Sequence, residues 1–296
     1  MLDSEIIVSV QMLSYQHVEY IRMALDSILM QKVNFKYEIV IGDDCSTDGS
    51  QLLLLDYKKR YPDIFKLILH KKNVGTMKNV ISVLKHCNGK YIAFLECDDF
   101  WTDEYKLQIQ VDFLNDNKDF AACYHNTNVI GDDKKECRLY KAAHYDITSF
   151  EQYFKYIPAI PTASLIMRNF IRDSNCYQYF TKTKYIGDRI VHALILLHGK
   201  IKYIDKTMCA YRYITNGNTS FSSKNYIERQ KDYLKALGVQ REIAPNRCNH
   251  LISRMISNNK RKVIQRYLSD HMYKDMLKYW LWDLSMKEKV DILRSK

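Results

Sequence analysis

The sequence contains little of what several large protein classes require. Its 296 residues include only nine glycines and four prolines, which argues against an all-β chain with many tight turns. No apolar run approaches the ~18 residues that span a membrane. The start, Met1-Leu2-Asp3-Ser4-Glu5, lacks the positive charge and apolar stretch of a secretory signal. The hydrophobic share of 47% nevertheless supports a substantial core, so we expect a globular protein and not a disordered chain.

Cysteine pairs typical of zinc sites are also absent. None of the eight cysteines belongs to a CxxC pair, and most of them lie in apolar segments. We therefore expect reduced thiols, as is usual in cytoplasmic proteins.

The net charge of +11 is concentrated after residue 240. The basic residues of this tail include Arg247, Arg254, Lys260, Arg261, Lys262 and Arg266. Such a face suits an anionic membrane, nucleic acid or a phosphorylated substrate, and it is equally typical of a solvated helical surface. The nearby Tyr267, Tyr273 and Tyr279 do not share one helical face, which disfavours nucleic acid.

Hydrophobic periodicity predicts strands and helices in alternation over the first hundred residues. Strands are predicted at 5–10, 37–41, 65–69 and 91–95, and helices at 17–31, 49–60 and 76–87, with Asp48 as a cap. Beyond residue 120 we predict strands at 120–125, 163–168, 201–204 and 208–213, a helix at 187–198, and further helices from about 225. The alternation favours a mostly parallel α/β sheet, and ligands of such sheets bind beyond the carboxyl ends of the strands.

Acidic residues crowd two of these predicted strand ends. Asp43 and Asp44 follow the second strand, whereas Glu96, Asp98 and Asp99 follow the fourth. Crowded carboxylates repel one another, and a divalent cation such as Mg²⁺ or Mn²⁺ would offset their charge. Favourable charge at the start of a helix near residue 103 is a plainer explanation, but it leaves Glu96 and Asp98 unexplained.

Four blocks of sequence occur in the order typical of one enzyme family. They are Val8-Ser9-Val10 with Ser14-Tyr15-Gln16-His17, then 38–49, then 73–79 with 89–103, and finally Gly187-Asp188 with 199–205 and Tyr211-Arg212. These blocks resemble the family 2 glycosyltransferases, which have a GT-A fold and use nucleotide-sugar donors. The resemblance covers about residues 5–220.

The resemblance implies roles for individual residues. Asp44 matches the aspartate that contacts uracil, and Asp43 occupies a neighbouring position. Glu96 and Asp98 match the ends of the D-x-D motif that holds the metal and the donor diphosphate, with Asp99 as an additional metal candidate. Asp188 matches the catalytic base, although a helix cap is an alternative for it. The other nucleotide-binding candidates are Ser14, Tyr15, Asn73, Lys78, Asn79, Cys97 and Arg212.

Some positions depart from the family pattern or remain weak. Gln16 replaces the usual asparagine, and Ile214 stands where a histidine often ligates the metal, so a third protein ligand is in doubt. Trp101, His125 and Thr162 are candidates for acceptor contact, and plain packing is the more common role for such residues.

The sequence thus predicts a GT-A domain over residues 1–222 and a basic helical region over 223–296. The resemblance implies metal-dependent, inverting transfer from a UDP-sugar to a glycan or lipid-linked glycan in surface-polysaccharide synthesis. We expect a cytoplasmic protein whose tail contacts the inner face of the membrane, with no nucleic-acid partner and with oligomerisation left open. Two alternatives stay open: a nucleotidyltransferase, disfavoured because residues 10–17 contain no glycine, and a non-catalytic membrane- or nucleic-acid-binding module.

Overall fold

A computed structural model describes residues 5–131, 137–139, 145–172, 175–213 and 225–284, together with residue 289. The expectation placed on Ile214 and the domain boundary at 222/223 lie outside these residues. The strands are β1 (Val8–Ser14), β2 (Tyr37–Asp43), β3 (Phe65–Leu69), β4 (Tyr91–Phe94), β5 (Phe100–Trp101), β6 (Phe120–Gly131), β7 (Cys137–Leu139), β8 (Ile166–Arg168) and β9 (Lys200–Tyr213). The helices are α1 (Val18–Leu29), α2 (Ser50–Arg60), α3 (Thr76–Leu84), α4 (Lys106–Asp116), α5 (Phe150–Tyr156), α6 (Tyr177–Phe180), α7 (Asp188–His198), α8 (Tyr226–Ile243), α9 (Asn249–Ser269) and α10 (Tyr273–Asp283).

The nine strands of the described residues belong to one sheet, ordered β3-β2-β1-β4-β8-β6-β9-β5, with β7 paired to β6. The first four strands pair in parallel, as do β6 and β9. The pairs β4–β8, β6–β8 and β5–β9 are antiparallel. The prediction of a mostly parallel α/β sheet is confirmed. Parallel neighbours need crossover connections, and the helices that the periodicity predicted supply them.

The two faces of the sheet bury two separate apolar clusters, as the period of two along a strand requires. In β2, Ile39 and Ile41 belong to the cluster that includes buried residues of α1, α2 and α4, whereas Val40 between them belongs to the cluster that includes α3 and α7. In β4, Tyr91 and Ala93 likewise face the first cluster and Ile92 the second. The sheet is therefore covered on both faces, and its strand ends remain as places for a site.

Several element bounds differ from the prediction where polar residues lie within strands. β1 was expected at 5–10, but it runs to Ser14, which pairs with Asp43 of β2. The strands expected at 201–204 and 208–213 are one strand, β9, because β6 pairs with it on both sides of an exposed irregularity at Asp205 and Lys206. The register shift there accommodates the polar residues that interrupted the pattern.

The helices after residue 225 pack onto the sheet domain. Leu237 and Ile243 of α8 and Ile252 of α9 are buried in the same cluster as α3 and α7. Within the described part of the chain, no helix is both long and apolar enough to cross a bilayer. The described cysteine side chains are all free thiols.

Candidate active site

The carboxyl ends of β1, β2 and β4 meet at one edge of the sheet because the three strands run in parallel. Ser14, at the end of β1, is buried beside Asp43 at the end of β2. Leu95, which follows β4, donates its backbone amide to Gln11 of β1 at 3.1 Å, so Glu96 begins at the same edge. Tyr15 is 38% exposed there.

Asp43 closes the turn that leaves β2. Its carboxylate accepts hydrogen bonds from the Ser46 amide at 2.9 Å, the Ser46 hydroxyl at 2.6 Å and Gln51 Nε2 at 2.7 Å. The side chain is fully buried. Asp43 therefore shapes the loop that presents Asp44, and these contacts account for its position without a ligand.

Asp44 draws the 73–75 loop over the end of β2. Its two carboxylate oxygens accept amide hydrogens from Val74 at 2.6 Å and from Gly75 at 3.0 Å. Gly75 has φ +89°, a conformation that side-chain-bearing residues rarely adopt. Each oxygen keeps a further lone pair, so Asp44 remains able to accept a ligand N–H. Asn73 is exposed on this loop.

Asp48 connects the starts of two helices. Its carboxylate accepts hydrogen bonds from the amides of Val18, at the start of α1, and Ser50, at the start of α2. Gly49 precedes α2 as the capping residue, with φ +102°. Asp48 therefore satisfies helix amides as expected, but from the position before the cap.

Asn79 and its neighbour Lys78 lie on α3 with different surroundings. The Asn79 amide nitrogen donates to the Gly42 carbonyl oxygen at 2.8 Å, and its oxygen lies 3.1 Å from His70 Nε2. The side chain is 2% exposed, so Asn79 fastens α3 to β2. Lys78 is exposed and is free to reach a ligand.

The Glu96 carboxylate is held in an unfavourable electrostatic environment at this edge. Burial, together with the charges of Asp98 and Asp188, raises its pKa to about 8. Its Oε2 atom is buried without a hydrogen-bond partner in the described residues. A buried acceptor without a partner costs free energy that a bound cation or donor would recover.

Asp99 and Arg212 connect this edge to β9. Burial raises the pKa of Asp99 well above its usual value, with Asp98 and Glu96 adding to the effect. Asp99 Oδ1 accepts the backbone N–H of Arg212 at 2.8 Å. The guanidinium Nε of Arg212 donates to the Asp98 carbonyl oxygen at 3.0 Å, so Arg212 fixes the backbone of the acidic segment. Cys97, between the acids, is fully buried.

Asp188 is the first residue of α7 and is exposed. Gly187 is the capping residue, so Asp188 does not cap the helix with its side chain, although a carboxylate in the first turn is favourable. The charge of Asp188 contributes to the raised pKa of Glu96, so the two carboxylates interact electrostatically. Glu96 of the third sequence block and Asp188 of the fourth therefore belong to the same edge of the sheet.

The acceptor candidates lie in less accessible places. Trp101 is 1% exposed, its Nε1 donates to the Ala163 carbonyl oxygen at 2.9 Å, and Lys106 Nζ lies 4.1 Å from its ring centre. His125 is fully buried, and burial holds its pKa well below the usual value. These contacts favour packing for both residues. Thr162 is half-buried in a short 3₁₀ turn.

The acidic residues of this edge supply some, but not all, of the ligands that a hard divalent cation needs. Within the described ranges, no three His, Cys, Asp or Glu side chains form a ready-made metal site. The orphaned Glu96 Oε2 beside Asp98 nevertheless supplies the oxygen donors that Mg²⁺ and Mn²⁺ prefer. A cation held here would complete its coordination with ligand and water oxygens.

Two side chains of α8, Asp232 and Gln240, contact the segment that carries Asp188, and the sequence reasoning did not single them out. Asp232 accepts the amides of residues 184–186, and Gln240 donates to the Arg189 carbonyl oxygen. No local pattern marks either residue, because their partners lie about fifty residues earlier in the chain.

Solved structures similar to this one are glycosyltransferases. Residues 1–349 of S. aureus TarS in complex with UDP-GlcNAc match with a TM-score of 0.58 at 15% identity, over 97% of this chain and 80% of that one. The mannosyltransferase PcManGT from Pyrobaculum calidifontis, in complex with GDP-Man and Mn²⁺, matches with a TM-score of 0.59 at 13% identity, over 98% and 79%. These likenesses confirm the GT-A fold.

Related sequences extend the comparison. An uncharacterized protein of Mycobacterium tuberculosis is 32% identical over 217 residues, which are 71% of this chain and 59% of that protein. The chain thus spans less than two thirds of that relative. The putative teichuronic acid biosynthesis glycosyltransferase TuaG of Bacillus subtilis is 36% identical over 108 residues, which are 36% of this chain and 42% of TuaG. The family model for glycosyl transferase family 2 matches residues 9–174. The chain therefore belongs to the family 2 glycosyltransferases.

Proposed function

We propose that the protein transfers a sugar from a UDP-sugar to a hydroxyl of a glycan or lipid-linked glycan, with inversion and with Mn²⁺ or Mg²⁺ as cofactor. The observation that carries the proposal is the buried, unpartnered Glu96 oxygen beside Asp98 and Asp188 at the open edge of a parallel sheet. Family membership and structural neighbours that bind UDP-GlcNAc or GDP-Man with Mn²⁺ support it.

In this proposal the donor lies across the ends of β1, β2 and β4. Asp44 accepts the imide N–H of uracil, and Asp98 and Glu96 would hold the cation, with Asp99 as a further metal candidate. The ion, when bound, neutralises charge on the departing diphosphate. The remaining donor contacts are assigned to Ser14, Tyr15, Asn73, Lys78 and Arg212.

Asp188 acts as the general base. Its carboxylate takes the proton of the acceptor hydroxyl, whose oxygen forms a bond to the anomeric carbon while the bond to the diphosphate oxygen breaks. Because the attack comes from the face opposite the leaving group, a single displacement inverts the anomeric configuration. The exposure of Asp188 lets an acceptor reach it from solvent.

The setting we propose is surface-polysaccharide synthesis on the cytoplasmic side of a membrane. The similarity to TuaG supports this setting. Arg254, Lys262 and Arg266 are exposed on α9 and would attract anionic lipid. Cosedimentation with phosphatidylglycerol vesicles should fall with rising salt and with charge-neutral replacements of Arg254 and Lys262. Unchanged binding in that variant would contradict membrane contact through α9.

The experiment that tests the function is UDP release from a panel of UDP-sugars with Mn²⁺, comparing the wild type with Asp188→Asn. We expect turnover to fall by about 100-fold or more, with UDP affinity unchanged, because one general base contributes a factor of 10²–10⁴. Asp275→Asn is the matched control, since Asp275 also lies in the first turn of a helix, α10. Wild-type turnover by Asp188→Asn, or no turnover of any donor by the wild type, would contradict the proposal.

A further inference from the structure

The segment before α7 is held by a single buried carboxylate of the C-terminal region. Asp232 of α8 accepts the backbone amides of Lys184 and Tyr185 at 2.8 Å and of Ile186 at 3.0 Å. Asp232 is 3% exposed. Three successive amides that point at one carboxylate form an anion-binding turn, and charge-assisted bonds of this kind are strong when they are shielded from water.

A second residue on the same helix holds the other side of Asp188. Gln240 lies two turns beyond Asp232, and its Nε2 donates to the Arg189 carbonyl oxygen at 2.8 Å. The same nitrogen lies 3.3 Å from the Tyr153 hydroxyl, which also accepts from the Arg189 guanidinium at 3.3 Å. Contacts from α8 therefore bracket Asp188, with residues 184–186 on one side and Arg189 on the other.

The bracketed segment also has contacts outside α8, because the Thr183 hydroxyl donates to the Ile186 carbonyl oxygen at 3.1 Å. Gly187 packs against Met77 of α3, where an added Cβ would lie 3.3 Å from the methionine methyl group. Lys184 and Tyr185 make further contacts to Glu228, but these involve their side chains and not the backbone. The backbone that enters Asp188 thus lies between Met77 of α3 and Asp232 of α8, and Asp232 binds three of its amides.

We propose that Asp232 is a positioning residue, which sets the place of Asp188 relative to the donor site. The inference rests on the proposed function, in which Asp188 is the general base. It makes α8 a working part of the active site, acting through the backbone of residues 184–186. Gln240 supports the same placement from the opposite side of Asp188.

A double-mutant cycle tests this inference, with UDP release from the best donor of the UDP-sugar panel as the measurement. We expect Asp232→Asn to lower kcat by about 10- to 100-fold, as misplacement of a reacting group by about 1 Å does. The donor KM should stay within about twofold, because the ends of β1, β2 and β4 are untouched. In the Asp188→Asn background, Asp232→Asn should have no further effect, since it acts through Asp188.

Two additional measurements separate positioning from general loss of structure. Hydrogen exchange should speed up at the amides of residues 184–186 in Asp232→Asn while the strands keep their protection. Glu228→Gln, one turn earlier on α8, is the matched control and should retain kcat within about twofold, because exposed side-chain ion pairs contribute little.

The outcomes distinguish the two proposals. If Asp188→Asn loses turnover but Asp232→Asn keeps wild-type kcat, the positioning role is wrong and the function stands. Equal losses from Asp232→Asn in both backgrounds would also contradict positioning, since a purely structural defect adds independently. Full turnover by Asp188→Asn would remove the proposed base, and the role of Asp232 with it.

Discussion

Lys106 is a buried cation. None of the described carboxylates pairs with it. Its Nζ donates to Gln110 Oε1 at 2.7 Å and lies over the Trp101 ring, and the residue is fully buried. Burial lowers its pKa to about 8. The charged form therefore destabilises the folded state below that pH, and the penalty fades as the amine loses its proton.

The pH dependence of stability can expose this penalty. Between pH 8 and 10.5 the unfolded chain holds a proton on Lys106 that the folded chain lacks, so the lysine's contribution to stability rises with pH. We expect the free energy of unfolding of wild type, relative to Lys106→Met, to rise by about 2 kcal/mol between pH 7 and 9.5. Urea unfolding of both proteins measures it, and a pH-independent difference would contradict the depressed pKa.

Single residues differ in how far their roles could be predicted from the sequence. Asp44, Glu96 and Asp98 stood out as site candidates because acids that follow apolar strands rarely serve the core, and their roles stay predictions. The sequence did not distinguish Trp101 from a sugar-stacking ring, because burial by α1 and the Ala163 segment is a tertiary effect. Asp232 carried no signal, since its partners lie 46 to 48 residues away.

Among the elements, the contact between α3 and β2 positions the loop that Asp44 holds. Gly42 of β2 lies directly under Asn79 and Val83, and an added Cβ would lie 2.0 Å from Asn79 Oδ1 and 2.6 Å from Val83 Cγ2. The close approach also lets Asn79 reach the Gly42 carbonyl oxygen. Glycine is required here because there is no room for a Cβ atom, and not because of its backbone dihedral angles.

Two glycine substitutions should therefore have opposite effects. Gly42→Ala forces α3 away from the sheet, and we expect a loss of about 3 kcal/mol in the free energy of unfolding. Gly238→Ala on α8 meets no atom within 4 Å and should gain about 0.5–1 kcal/mol from helix propensity. Thermal unfolding of both variants checks the pair. A stable Gly42→Ala protein would contradict the close packing of α3 on β2.

Elements with one buried face were predictable, and long strands with polar interruptions were not. The periodicity of Val80, Val83 and Leu84 indicated α3 directly. β9 appeared as two strands because Asp205 and Lys206 point to solvent in its middle. Its pairing with β6, which lies about eighty residues earlier, spans both sides of this interruption and keeps the strand continuous.

At the scale of the whole molecule, the helices after residue 225 share the core of the sheet domain. Leu237, Ile243 and Ile252 lie in the cluster that also contains the buried residues of α3 and α7. By contrast, Tyr279 of α10 packs with Tyr267 of α9 in a separate, smaller cluster. The C-terminal helices therefore fall into two parts. α8 and the start of α9 complete the main core, whereas α10 packs on the end of α9 in the smaller cluster.

Truncations should distinguish these two parts. A chain that ends at residue 270 loses α10 and should fold with a lower melting temperature, whereas a chain that ends at residue 222 loses Leu237 and Ile252 and should not fold. Burying one large aliphatic side chain contributes about 1.5–3 kcal/mol, and several such losses exceed the stability of most domains. Circular dichroism melts check both, and a cooperative melt of the 1–222 chain at the wild-type temperature would contradict a shared core.

The central claim is that acidic side chains at the sheet edge bind a cation together with the donor diphosphate. Isothermal titration of UDP into the wild type and Asp98→Asn, each with and without Mn²⁺, tests it most directly. We expect Mn²⁺ to strengthen UDP binding to the wild type by about tenfold or more, which is about 1.4 kcal/mol, and to have no effect in Asp98→Asn. Equal UDP affinity with and without Mn²⁺ in the wild type would contradict the account.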